Sequence, residues 1–154
     1  MPAEPRFVVV EKGVRVPYPE PTSAEASAIG RANRRTDTKP ERLLRSNLHA
    51  LGLRFRVDLR IKEEGVAVRP DIVFTRRRIA VFVDGCFWHR CPQHFHAPKR
   101  NLDYWGPKIE ANVRRDERVA AALRAAGWYV ARIWEHEDMT EAALALRATW
   151  MARG

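Results

Sequence analysis

The sequence predicts a mixed α/β domain, a sheet flanked by helices. Three observations predict it. Two short β-branched runs, 71–75 and 78–84, lie either side of basic turn residues, the pattern of paired strands. Stretches with apolar residues at helical spacing stand before and after them. A further alternating run, 128–134, follows the second helical stretch. From residue 40 the order is helix, three strands, helix, strand, helix, with no internal repeat.

Each element has its local reason. Residues 1–39 carry several prolines and mixed charge and are expected to form an N-terminal arm, mobile when free, ahead of a single domain over 40–154. Within the arm, Phe7 to Val10 reads as a short edge strand and Arg15 to Pro21 as extended linker. Pro40 suits the first turn of a helix capped by Thr38. Leu43, Leu44, Leu48 and Leu51 supply its apolar stripe, and Gly52 stops it. Leu53 to Leu59 alternates as a half-exposed strand, and Lys62 to Val68 reads as a polar loop. A long helix is expected from Tyr104 or Pro107 to Ala126, with Ile109, Val113, Val119 and Leu123 inward and Lys108, Arg114, Arg115 and Arg118 outward. Trp128 and Trp134 alternate on the next strand and are assigned to the core. Glu141 to Ala152 forms a last amphipathic helix through Leu144, Leu146 and Trp150.

Lysine and arginine number 28 against 19 acids, a net charge of +9. Arginine dominates, and guanidinium forks match phosphate oxygens, so the charge favours a nucleic-acid partner. Two cysteines do not make a disulfide framework. The N-terminus lacks an apolar leader and the longest apolar runs are too short for a bilayer, so a cytoplasmic protein with reduced thiols and no membrane association is expected.

The chemistry concentrates in Arg69–His96. Both cysteines fall there: Cys86-x4-Cys91-x2-His94 gives three zinc-type ligands, with His136 as a fourth at a strand end and His96 as a competitor for the His94 place. Pro70-Asp71 heads one strand and Asp84 ends the next, in part the nuclease pattern Pro-Asp…(Asp/Glu)-x-Lys; the lysine is missing, and His89 is the nearest group able to move protons at neutral pH. Asp84 either binds metal, orients His89 or a water, or is a turn acid before Gly85. Glu41 in a first helical turn is, by itself, a complement to the helix dipole.

These pieces resemble one family. Arg69-Pro70-Asp71, Val81-Phe82-Val83-Asp84-Gly85-Cys86-Phe87-Trp88-His89, Tyr104-Trp105, Lys108-Ile109, Asn112, Arg115-Asp116, Gly127-Trp128 and Trp134-Glu135-His136, preceded by Asn33 to Thr38 and by Glu41, are similar to the very-short-patch-repair (Vsr) endonucleases, enzymes that nick DNA at T:G mismatches. The resemblance implies the restriction-endonuclease-like fold, with structural Zn²⁺ held by Cys86, Cys91, His94 and His136. It implies catalytic Mg²⁺ on Asp71 and the Val83 carbonyl, a catalytic His89, and support from Glu41; Asp84, which stands where the family has a second histidine, is read as assisting catalysis. Phe87, Trp88 and Trp105 become wedges beside the mismatch, and Arg34, Arg35, Lys99 and Arg100 phosphate contacts. The best-known members carry Thr-His where this chain has Val83-Asp84. The expected partner is duplex DNA with a T:G mispair, with a mismatch-repair accessory protein beside it, and the expected state is a monomer. The rival readings are a restriction-type or nonspecific Mg²⁺-dependent nuclease, and a non-catalytic zinc-bearing DNA-binding module.

Overall fold

The structure is a computed structural model and describes residues 7–9, 15–17, 37–63, 65–86, 89–93 and 102–154. Arg34, Arg35, Phe87, Trp88, His94, His96, Lys99 and Arg100 therefore lie outside the described residues. The elements are β1 (Phe7–Val9), β2 (Arg15–Pro17), α1 (Lys39–Ala50), β3 (Ile61–Glu63), β4 (Val66–Val68), β5 (Ile72–Phe74), β6 (Ile79–Asp84), α2 (Leu102–Ala125), β7 (Tyr129–Trp134) and α3 (Met139–Ala152).

The central sheet has the order β5-β6-β7. The first pair is antiparallel, a hairpin closed by residues 75–78. The second pair is parallel, so the chain crosses from β6 to β7 through α2. Side chains alternate across the strands and build two cores. Ile72, Phe74, Ile79, Val81 and Ile133 pack with Leu44 and Leu48 of α1 and with Met139, Ala142, Ala143 and Leu146 of α3. Val73, Ala80, Phe82 and Val130 pack on the other face with Val119, Ala120 and Leu123 of α2. This alternation puts Asp84 and Arg132 on the α2 side, in step with Phe82 and Val130.

Helix α1 begins as the sequence predicts: the Thr38 hydroxyl accepts from the Glu41 amide and Pro40 sits in the first turn. Gly52 follows at φ 80°, a left-handed turn that favours glycine.

The structure corrects several expectations. Leu53 to Leu59 is not a strand. Arg56 makes one antiparallel bridge to Val73, with both backbone bonds at 2.8 Å, and then Asp58 takes φ 53° while Arg69 Nη1 donates to its carboxylate at 2.9 Å. That turn ends the pairing. The expected polar loop 62–68 lies within the β3–β4 hairpin, turned at Gly65 with φ 79°. Arg15–Pro17, expected as linker, pairs with Phe7–Val9. Helix α2 starts earlier than expected, at Leu102.

Leu43 and Leu144 are 49% and 50% exposed, outside the buried stripes of their helices, and α3 approaches the sheet through the small Ala142 and Ala143 instead. Trp128 is half-buried at the rim of the α2-side core, where its indole N–H donates to Glu63 at 3.2 Å and Arg78 lies over its ring. Trp134 is also half-buried. Both aromatics carry a polar edge that the core cannot satisfy. Among the described residues, no helix is long and apolar enough to cross a membrane.

Candidate active site and metal centre

Three groups of side chains meet where β6 ends. The first is acidic. Asp71 stands just before β5, its amide donating to the Val81 carbonyl at 2.9 Å, and its Oδ2 accepts from the Val83 amide at 2.7 Å. Helix α1 brings Glu41 alongside, buried and accepting from the Asp37 amide at 2.7 Å. Burial pushes the Asp71 carboxyl from 3.8 up to about 7; the Val83 amide opposes this, while the nearby charges of Glu41 and Asp84 add to it. An acid held among acids suits a bound cation. Asp71 and Glu41 offer hard oxygens of the type Mg²⁺ takes, and a cation there would relieve the repulsion that raises Asp71.

The second group surrounds His89. Its Nδ1 is hydrogen-bonded to Oδ2 of Asp116, which α2 presents. Burial lowers the imidazole pKa, but the bond to Asp116 and the charges of Asp84 and Asp116 outweigh it, and the net shift is upward from 6.5. With Nδ1 engaged by a carboxylate, Nε2 is the nitrogen left for chemistry. Asp84 closes the group. It is 5% exposed, and its two oxygens accept from Arg132 Nη1 at 2.9 and 3.0 Å. Burial raises its carboxyl pKa against the pull of the Arg132 guanidinium and of His89. Arg132 also reaches Asp116, at 3.5 Å from Nη2 to Oδ1.

The third group is soft. Sγ of Cys86 and of Cys91 lie 3.2 and 3.7 Å from Nδ1 of His136, in the turn after β7. Zinc bonds of about 2.0–2.3 Å set tetrahedral ligands roughly 3.3–3.8 Å apart, so these spacings fit the ion. The loop is tied in place by the Cys91 amide on the Cys86 carbonyl at 2.9 Å and by the Cys86 amide on Glu135 at 3.1 Å. Burial and the neighbouring Cys91 push the Cys86 thiol up to about 11, so the thiolate needs a cation to form.

The structure thus gathers Asp71, Glu41, Val83, Asp84 and His89 at one end of the sheet, and brings Cys86, Cys91 and His136 together beside them. Trp105 lies in the first turns of α2, half-buried, edge-on to Tyr104 with ring centroids 4.6 Å apart and with Lys108 over its ring. Two residues escaped the sequence reading. Asp116 sits in a run of arginines that reads as a solvated helix face; only its place in the Arg115-Asp116 motif marked it. Arg132 shares a strand face with Trp128, Val130 and Trp134, and nothing in that apolar setting marked an arginine for a role.

The fold matches that of the homing endonuclease I-Bth0305I catalytic domain with a TM-score of 0.51, at 19% identity, over 76% of this chain and 98% of that one. The family model described as DNA mismatch endonuclease Vsr matches residues 21–94. The type II nicking enzyme V.NaeI of Lentzea aerocolonigenes is 52% identical over 130 residues, 84% of this chain and 78% of the relative. The DNA mismatch endonuclease Vsr of Escherichia coli (strain K12) is 37% identical over 117 residues, 72% of each chain. The chain belongs to the Vsr family and is a DNA endonuclease.

Proposed function

We propose that this enzyme nicks one strand of duplex DNA at T:G mispairs, the product of 5-methylcytosine deamination. The reading is carried by one juxtaposition: Asp71, an acid whose charged neighbours among the described residues are the acids Glu41 and Asp84, beside a carboxylate-held histidine, His89, at the same end of the sheet. The names of the family and of the Escherichia coli relative supply the mismatch.

Asp71 and the Val83 carbonyl would hold Mg²⁺, with Glu41 behind them, and the ion when bound would supply electrophilic activation of the scissile phosphodiester. Hydrolysis makes a P–O bond from water and breaks the bond to the leaving oxygen. One proton leaves the water and one reaches the leaving group, and His89 serves one of these transfers through Nε2. Asp116 fixes the imidazole so that Nδ1 keeps its proton. Cys86, Cys91, His136 and His94 would hold a structural Zn²⁺, and Phe87, Trp88 and Trp105 would act as wedges at the mispair. Wedging is easier where a mispair weakens the stack, which turns a stacking difference into selectivity. Residues 1–39 form an arm on the DNA, where Arg34 and Arg35, with Lys99 and Arg100, contact phosphates. The enzyme acts as a monomer in the cytoplasm, with a mismatch-repair accessory protein as a further partner.

The test is single-strand nicking of duplexes of otherwise identical sequence carrying T:A, T:G and each other mispair, with and without Mg²⁺. The expected result is Mg²⁺-dependent nicking at T:G well above T:A. Equal rates on all duplexes would make this a nuclease without mismatch choice, and binding without cleavage would leave a DNA-binding module.

A further inference from the structure

We propose that Arg132 is the positioning residue of His89, a resident cation that fixes the histidine through Asp116. The inference rests on the reading of His89 as the proton-transfer residue. Asp84, His89 and Asp116 place their ligand atoms within 4.8 Å of one another, the kind of group that could hold a metal ion. In this chain a guanidinium already stands among them. Arg132 Nη1 binds both oxygens of Asp84, and Nη2 lies 3.5 Å from Asp116. One planar fork therefore joins an acid of β6 to an acid of α2, from a strand that lies next to β6.

The placement of Arg132 is itself fixed on three sides. Its Cζ lies 4.4 Å from the centre of the Phe82 ring, which closes the side facing the sheet. Its Nε is buried and without a hydrogen-bond partner. A buried donor left unmatched is unfavourable, so the side chain is held by its two carboxylates and not by its own satisfaction. Asp116 in turn has one oxygen towards Arg132 and the other on His89 Nδ1. Without Arg132, Asp84 and Asp116 would repel each other across the site, and Asp116 would lose the contact that sets its rotation. A lysine offers a single point charge and can satisfy one acid at a time.

The experiment uses the full-length, zinc-loaded protein with Arg132→Met, Arg132→Lys and His89→Ala, alone and combined. Because removing one partner of a buried pair can unfold a protein, the double replacement Asp84→Leu/Arg132→Met, which removes both charges, is the fallback. Two readouts are taken. Imidazole ¹⁵N spectra of His89 should show a fixed Nδ1–H tautomer in the wild type and a mixture in Arg132→Met. Single-turnover nicking of T:G duplex should fall about 10- to 100-fold in Arg132→Met with DNA affinity unchanged, recover in part in Arg132→Lys, and fall no further when Arg132→Met is added to His89→Ala. A changed tautomer with no nicking by any form, wild type included, would fault the reaction assigned above and still support Arg132. An unchanged tautomer and rate in a folded Arg132→Met protein would overturn the proposal, as would a loss carried wholly by weaker DNA binding.

Discussion

Asp71 and Asp84 are two acids at the same end of one hairpin, and they live by different rules. Asp84 is the more deeply buried, yet a guanidinium takes both of its oxygens. Asp71 has a backbone amide at 2.7 Å and, for charged neighbours, two further acids. Among the described residues, the first acid is paired with a cation and the second is not. A group whose charge the protein leaves uncompensated at a site of chemistry invites a cation from outside. Cys86 falls on the same side of the comparison, since its thiol is pushed to about 11 where metal would make it a thiolate. The difference teaches which acid is structural glue and which one waits for an ion.

The largest expected effect comes from Asp71→Asn, which should lower nicking by about a thousandfold or more, because a ligand to the activating ion is lost. The same change should stabilise the protein without Mg²⁺. Asp71 ionises near 3.8 ordinarily and at about 7 in the fold. A raised carboxyl favours the folded state fully below its unfolded value, and that contribution is lost as pH rises through the folded value. Metal-free wild type should therefore lose stability between about pH 4 and pH 7 relative to the variant. Thermal melts at pH 5 and pH 8 in Mg²⁺-free buffer check this: the variant should melt higher than wild type at pH 8, with the gap closing at pH 5. A gap that is absent at pH 8 would mean that Asp71 is compensated after all.

Asp84→Ala should go the other way. It takes both acceptor oxygens from the Arg132 guanidinium, so stability should fall by about 1–3 kcal/mol. Nicking should fall less than in Asp71→Asn. Denaturant unfolding of the two variants side by side reads the opposite signs directly. On the soft side, zinc analysis should give about one ion per chain by the four-ligand count, and Cys91→Ser should lose it together with much of the folding stability, since the ligands come from separate chain segments.

Much of this comparison was legible in the sequence, for reasons that differ by residue. Thr38, Pro40 and Gly52 announced α1 because caps and stops act locally. The β5–β6 hairpin was legible because two β-branched runs flank a basic turn. Cys86, Cys91 and His136 could be grouped because few other roles explain that residue set. The partner of each acid was not legible. Arg132 reaches Asp84 and Asp116 only through the parallel β6–β7 register and the crossover of α2, and both are long-range facts. Leu53 to Leu59 misled because alternation is necessary for a strand but does not guarantee a partner, and Asp58 turns the chain away after a single bridge.

The smallest effect expected is also the finest test of the comparison. Glu41 is buried in the first turn of α1, where it accepts from the Asp37 amide and its charge helps to raise Asp71. Glu41→Gln keeps an acceptor for that amide and keeps the shape, but removes one of the two acids facing Asp71. Two consequences pull apart. Asp71 should ionise more easily, so the pH-dependent instability of the metal-free protein should shrink and shift to lower pH. The ion should be held less firmly, because an acid that supports the metal ligand has gone, so nicking should fall by about tenfold at limiting Mg²⁺ and recover as Mg²⁺ is raised. Measuring nicking against Mg²⁺ concentration alongside the melts separates the two. A rate loss that excess Mg²⁺ does not recover would give Glu41 a part in the reaction itself. An unchanged rate with a changed melt would make it a helix-capping acid that happens to crowd Asp71.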